Sequence, residues 1–327
     1  MDTAMTKKAQ AVSREKLLPK RKIGFWKELK THKWLYAMLT PGLCYFLVFS
    51  YLPLVGLYFA FVDYDFLAGA YGLASEFVGL QNFVFFFTSD RWVQITLNTL
   101  FLNFMFIGTG ILLQVILAVC INEIGGRAFK KVTQSFMFLP NFLSWTVVAV
   151  FSLAMFGTDD GFVNKGLSLF GMQPIAFYQD PGVWPGLLIL LRLWKGAGFG
   201  TVIFLATISG IDQEMYEAAR IDGATRFKSI WHLTLPMLRP TVVLLLLMNA
   251  GTIFNGDFSM IFAMVGDNPL LRSTTDIIDT FVYRALRVQN DIGMSSAVGF
   301  VQSALGFACV LIFNAIARKV DRDTALF

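Results

Sequence analysis

Apolar positions gather into six long runs separated by polar stretches. A helix that crosses a bilayer needs about 20 mostly apolar residues. The first run covers about 35–62, with Pro41 and Pro53 expected to bend it. The second covers about 95–121, the third about 136–156 and the fourth about 183–208. A fifth starts just after Pro240 and ends near Val265, and the sixth covers about 294–317. The pattern predicts an all-α integral membrane protein with about six transmembrane helices.

Polar residues between the runs predict an orientation. Ten Lys and Arg side chains precede or border the first run within residues 1–33. This segment is expected to be a basic cytoplasmic stretch, held near anionic lipid, ahead of a membrane domain over 34–327. Arg91 is the one base in the next loop, followed by Arg127, Lys130 and Lys131, then Lys165 alone, then Arg220, Arg226, Lys228 and Arg239. Lys and Arg favour the cytoplasmic side, so the alternation predicts both termini inside. The loop between runs five and six disagrees, because Arg272, Arg284 and Arg287 would face outward, accompanied by Asp267, Asp276, Asp279 and Asp291. The stretch 274–286 is also amphipathic and is expected to fold against the outer membrane surface. No small-residue cleavage site follows a short core, so the first run is expected to be a retained span.

Composition agrees with the pattern. Of 327 residues, 56% are hydrophobic and 15% charged, too few charges to clothe a soluble globule of this size. The net charge of +5 lies between apolar runs rather than on one basic face, so nucleic acid is not expected as a partner. Cys44, Cys120 and Cys309 sit within apolar runs and are expected to be small buried hydrophobes. His32 and His232 are far apart, and no metal site is expected. No G-x-x-x-x-G-K-[ST] run is present, so no ATPase phosphate loop can form here. No enzyme signature appears.

Residues 209–239 read differently from the other loops. Ser209 and Asp212 have the spacing of a capping box, and residues 213–221 are good helix formers. Gly223 offers a left-handed turn. Residues 224–233 predict a second helix with Phe227, Ile230 and Trp231 on one side, closed by Pro236. A helix–turn–helix finger projecting toward the cytoplasm could dock in a groove of a soluble partner, with Glu217 accepting from a partner Arg.

The run Glu217-Ala218-Ala219, three residues, Gly223, nine residues, Leu233-Thr234-Leu235-Pro236 resembles the EAA motif of permease subunits of bacterial ABC importers. Leu233 stands where many members carry Ile. The stretches Tyr45–Asp65, Phe138–Phe151 and Asp276–Ala285 resemble the oligosaccharide branch of the carbohydrate-uptake class. The resemblance implies a type I importer permease fold in the bacterial cytoplasmic membrane. It implies that Tyr216, Glu217, Ala218, Ala219, Asp222, Gly223, Leu235 and Pro236 couple to an ATPase. The implied partners are a second permease as a heterodimer, two ATPase subunits that carry ATP and Mg, an extracytoplasmic solute-binding protein, a sugar and membrane lipid. This chain itself is expected to hold no cofactor. Rival expectations are the same architecture importing a peptide or amino acid, and an ion-coupled secondary transporter.

Charged and polar groups inside the runs are candidates for the solute path. Arg192 and Lys195 are three residues apart on one helix face, at a depth where each charge costs about 2.5–3.5 kcal/mol and usually meets a cavity or partner. Asp257 is one candidate partner. Trp194 and Trp184 are candidates for stacking on sugar rings, and Asn249 and Asn255 for polar contacts. Asn98, Asn103 and Gln114 are expected to bond neighbouring helices, and Gly196, Gly198 and Gly200 to allow close helix packing.

Overall fold

A computed structural model describes residues 30–69 and 72–320. Most of the basic 1–33 segment and the tail beyond 320 lie outside the described residues. The chain divides into two compact units at Gly56/Leu57.

The first unit carries α1, Lys33–Phe46, which continues as a π-helical turn over Leu47–Tyr51. A 3-10 segment, Leu52–Phe61, follows. Pro41 lies inside α1 without ending it. The π turn comes just before Pro53. A proline ring clashes with the carbonyl four residues back, and a wider π turn moves that carbonyl aside.

In the second unit, Val62–Asp63 pairs antiparallel with Glu76–Phe77, the one strand pair among the described residues. The helices are α2 (Gln81–Thr88), α3 (Trp92–Glu123), α4 (Arg127–Phe138), α5 (Trp145–Phe156), α6 (Phe162–Leu169) and α7 (Trp184–Ser209). There follow α8 (Gln213–Ile221), α9 (Arg226–Ser229), α10 (Leu235–Ala250), α11 (Phe258–Val265), α12 (Arg272–Thr275), α13 (Ile278–Arg287) and α14 (Ile292–Val320).

Five helices are long and apolar enough to cross a membrane, and the pair 127–142 and 145–156 makes a sixth span if its two halves count as one. That third span is not the continuous helix predicted over 136–156, because its halves meet at 95°. Pro140 lies in a 3-10 turn at the break, and the Ser144 hydroxyl caps α5 by accepting from the Val147 N–H at 3.3 Å.

The fifth span also differs. It does not start after Pro240. The helix runs from Arg226 to Ala250 with Pro236 and Pro240 inside it, and Phe258–Val265 is a separate helix. A π turn over Ile230–Thr234 precedes Pro236, the arrangement also seen ahead of Pro53. Pro236 therefore does not close the second helix of the finger; that helix becomes the span. Nor does Ser209 cap the first, since its hydroxyl donates to the Leu205 carbonyl while Asp212 accepts from the Glu214 N–H at 3.1 Å.

Helices α3 and α7 form the longest interface. Leu102 and Phe106 of α3 pack with Trp184 and Leu188 of α7 and with Met260 and Ile261 of α11. At the other end Ala118 and Ile121 pack with Phe204, Leu205 and Ile208, joined by Leu238 of α10. Low numbers meet low and high meet high, so α3 and α7 run parallel. Two parallel spans require one crossing between them, which the broken third span supplies. A third cluster, Ile95, Ile278, Ala285, Met294 and Val298, fixes α13 to α3 and α14.

The amphipathic stretch 274–286 is thus folded onto the helices through α13. Its one arginine, Arg284, and the preceding Arg272 are neutralised in place. Arg272 pairs with Asp267 at 2.7 Å, and Arg284 pairs with Asp276 at 2.5 Å and with Asp267 at 3.3 Å. Two of the three bases that contradict the charge alternation are therefore tied to carboxylates. Cys44 and Cys120 are exposed on the isolated chain and not buried as expected, while Cys309 is half-buried.

Candidate functional site: a cavity beside a broken span

Packing between α3 and α7 opens at its middle. Between the two apolar ends lies a cavity of about 750 Å³, within the usual size of small-ligand sites. Its wall comes from α3 (Asn103 to Gln114), the third-span break (Asn141, Trp145), α7 (Arg192 to Ile203), α10 (Leu245, Asn249) and the segment 252–259.

The wall includes backbone because the third span is broken there and the fifth span ends there at Ala250, ahead of the irregular segment that leads to α11. Irregular backbone at membrane depth is tolerated when it lines a cavity and its polar groups are satisfied. Side chains satisfy them here. The Asn103 amide donates to the Ile253 and Asn255 carbonyls at 2.9 and 3.0 Å. The Gln302 amide donates to the Phe254 carbonyl at 2.6 Å, and the Gly256 N–H donates to Asp279 at 2.6 Å. Asp257 caps α11 through the Met260 N–H at 3.0 Å. At the third-span break, the Lys195 ammonium donates to the Asn141 carbonyl at 2.9 Å. Gly198 lies against this break, and a Cβ there would overlap the Met137 carbonyl.

Of the candidates for the solute path, the structure brings Arg192, Lys195, Asn249, Asn255 and Asp257 to one cavity wall. Arg192 donates to Asp257 at 2.5 Å and lies 5.9 Å from the Phe106 ring centroid. The Asn249 amide donates back to the Leu245 carbonyl at 2.7 Å. Trp194 does not join them; it is 46% exposed on the outer face of α7. Trp184 is fully buried, with its indole N–H donating to the Phe177 carbonyl at 2.7 Å, and is not open to a sugar ring. The indole that does line the cavity is Trp145, with Lys195 5.3 Å from its centroid. Trp145 and Asn141 carried no site expectation from the sequence, whereas Gln114, also in the wall, was expected to bond a neighbouring helix. The available signal for the first two was the Pro140 to Ser144 stretch, a helix break followed by an N-cap.

Among the described residues no group of three or more His, Cys, Asp or Glu could hold a metal ion.

The second candidate site is the finger after α7. Asp212 starts α8, and a Schellman turn ends it. The Ala224 N–H donates to the Ala219 carbonyl at 2.9 Å and the Gly223 N–H to the Arg220 carbonyl at 3.0 Å. Gly223 has φ +77°, where a side chain is strained. The Tyr216 and Thr234 hydroxyls lie 3.0 Å apart, tying α8 to the base of the next span. Asp222 is the C-cap residue, and Leu235 and Pro236 begin α10. Glu217 and Ala218 are exposed, and Ala219 is half-buried. Ile221, Phe227 and Trp231 are exposed apolar residues around the tip.

Residues 107–324 match the family described as binding-protein-dependent transport system inner membrane component. Protein LplB of Bacillus subtilis (strain 168) is 37% identical over 92% of this chain and 93% of its own. The polygalacturonan/rhamnogalacturonan transport system permease protein YteP of the same organism is 34% identical over 90% of this chain and 91% of its own. Among solved structures, a bacterial alginate ABC transporter in complex with an alginate pentasaccharide-bound periplasmic protein superposes with a TM-score of 0.82 and 31% identity, over 90% of this chain and 98% of the other.

Proposed function

Because this chain belongs to the family of binding-protein-dependent transport system inner membrane components, we propose that it forms half of the translocation pathway of an ATP-driven oligosaccharide importer. The cavity beside the broken third span carries the reading, since it offers amides, an indole and fixed charges midway along the packed helices. Such a mixture suits a polyhydroxylated solute, whose hydroxyls bond to amides and whose ring faces lie on aromatic surface. Similarity to a permease named for polygalacturonan/rhamnogalacturonan transport and to an alginate transporter supports an oligosaccharide over a peptide or an amino acid. Family membership also sets aside the ion-coupled secondary transporter.

The second half of the pathway is a second, homologous permease. Two ATPase subunits supply ATP and Mg, and an extracytoplasmic solute-binding protein delivers the sugar. The finger is the ATPase contact. Its exposed apolar tip would enter a groove, and Glu217 would accept from a partner Arg. The link from Tyr216 to Thr234 would pass the ATPase movement directly into the fifth span. This assignment puts the finger and both termini in the cytoplasm.

Purification from native membranes in mild detergent tests the assembly. A P-loop ATPase and a second permease should copurify with the tagged chain, and Glu217→Ala combined with Gly223→Val should remove the ATPase. A stable chain that never carries an ATPase, under conditions where another importer stays assembled, would end this reading.

A further inference from the structure

We propose that the cavity selects an acidic sugar and that Lys195 is the residue that recognises its carboxylate. The inference rests on the oligosaccharide reading and adds the charge of the cargo.

The cavity wall contains two cations, Arg192 and Lys195, and one carboxylate, Asp257. Arg192 and Asp257 are in contact at 2.5 Å, so the wall keeps one positive charge in excess. That charge resides on Lys195. Among the described residues no carboxylate pairs with it, and its hydrogen-bond partner is the neutral Asn141 carbonyl at 2.9 Å. An ammonium has three N–H donors. One is used at the break, which leaves two for a ligand. A lone ammonium on a helix that crosses the membrane is costly unless it meets water or an anion. A neutral sugar would leave that charge uncompensated, whereas a uronate carboxylate supplies the missing acceptor in a charge-assisted bond. Trp145, beside the ammonium, gives the ring of the same sugar unit an apolar surface. Arg192, already held by Asp257, braces the segment after α10 and is a positioning residue.

The alternative role for Lys195 is to hold the Asn141 carbonyl alone. Lys195→Gln separates the two, because its amide still donates to that carbonyl but carries no charge. The assembled importer, with its partner permease, ATPases and binding protein, is reconstituted in proteoliposomes. Uptake is measured for trigalacturonate, its methyl ester and maltotriose. Lys195→Gln should lower trigalacturonate uptake about tenfold or more, as expected for loss of a hydrogen bond to a charged group, and Lys195→Arg should largely restore it. The ratio of trigalacturonate to ester uptake should therefore fall about tenfold or more in Lys195→Gln and return toward the parent value in Lys195→Arg. Equal loss of acid and ester in Lys195→Gln, or no loss of either, would overturn the assignment. Uptake of maltotriose without trigalacturonate in the unaltered protein would also overturn it while leaving the oligosaccharide reading intact. Uptake of none of the three sugars would overturn both.

Discussion

Asp279 sits where its charge is costly. It lies on α13 and accepts from the Gly256 N–H and, at 3.2 Å, from the Gln302 amide. Burial raises its pKa above the ordinary aspartate value; those hydrogen bonds oppose the shift, and the nearby Asp257 charge adds to it. Between the ordinary and the raised value, the folded chain holds a proton that the unfolded chain has released. Stability therefore falls as pH rises through that window. The penalty is absent below the ordinary value and complete above the raised one. Asp279→Asn keeps an acceptor for Gly256 and removes the charge. Thermal unfolding in detergent should show the variant gaining on the parent protein as pH rises through the window, with a constant difference on either side. A difference that does not change with pH would mean that Asp279 is as solvated folded as unfolded. Sequence reading grouped Asp279 with the other acids of its loop, because the partner that buries it, Gly256, is 23 positions away. Arg192 and Asp257 were legible as a pair for the opposite reason: charges in apolar runs are few, and each must find another.

At the scale of elements, α7 was legible almost to the residue, from a predicted 183–208 to an observed Trp184–Ser209. Its apolar run is bounded by polar residues at both ends. The third and fifth spans were misread because a hydropathy window averages across a break. Pro140 and Ser144 carry the signal of the first break. In the fifth span the prolines carry a misleading one, since the π turn before Pro236 lets the helix pass through. The close approach of α7 to the third-span break gives a direct test. Gly198→Ala would push a methyl group into the Met137 backbone, which cannot rotate away, and overpacking of this kind costs about 1–3 kcal/mol. A melting-temperature drop in detergent is expected, whereas Gly196→Ala, where a Cβ meets nothing within 4 Å, should leave stability nearly unchanged. In the finger, Gly223→Val forces a branched side chain into a left-handed turn at a cost of about 1–2 kcal/mol. The substitution should loosen α8 and weaken ATPase retention without unfolding the spans, which copurification and circular dichroism together would resolve.

On the scale of the whole molecule, six apolar runs and a patterned finger were enough to indicate the fold and the family. The cavity was only partly legible, because its wall is assembled from backbone at the third-span break and after α10 as well as from side chains. Orientation can be read with a membrane-impermeant maleimide on a cysteine-free background. Lys165→Cys should label from outside intact cells, and Lys228→Cys only after the membrane is opened.

The ion pairs of Asp267, Asp276, Arg272 and Arg284 have a consequence for biogenesis. They exist only once the segment after α11 has folded. A ribosome delivers the chain from its first residue onward, so the insertion machinery meets those arginines bare, and by charge alone they would be retained in the cytoplasm. With this loop outside, as the proposed orientation requires, the earlier spans must already have committed the topology when the last pair arrives. A chain made to begin at Arg226, with nothing inserted ahead of it, should enter the membrane in mixed orientation, and glycosylation-site mapping of the 266–291 loop would show it on both sides. The order of synthesis is in this sense part of the information that builds the protein.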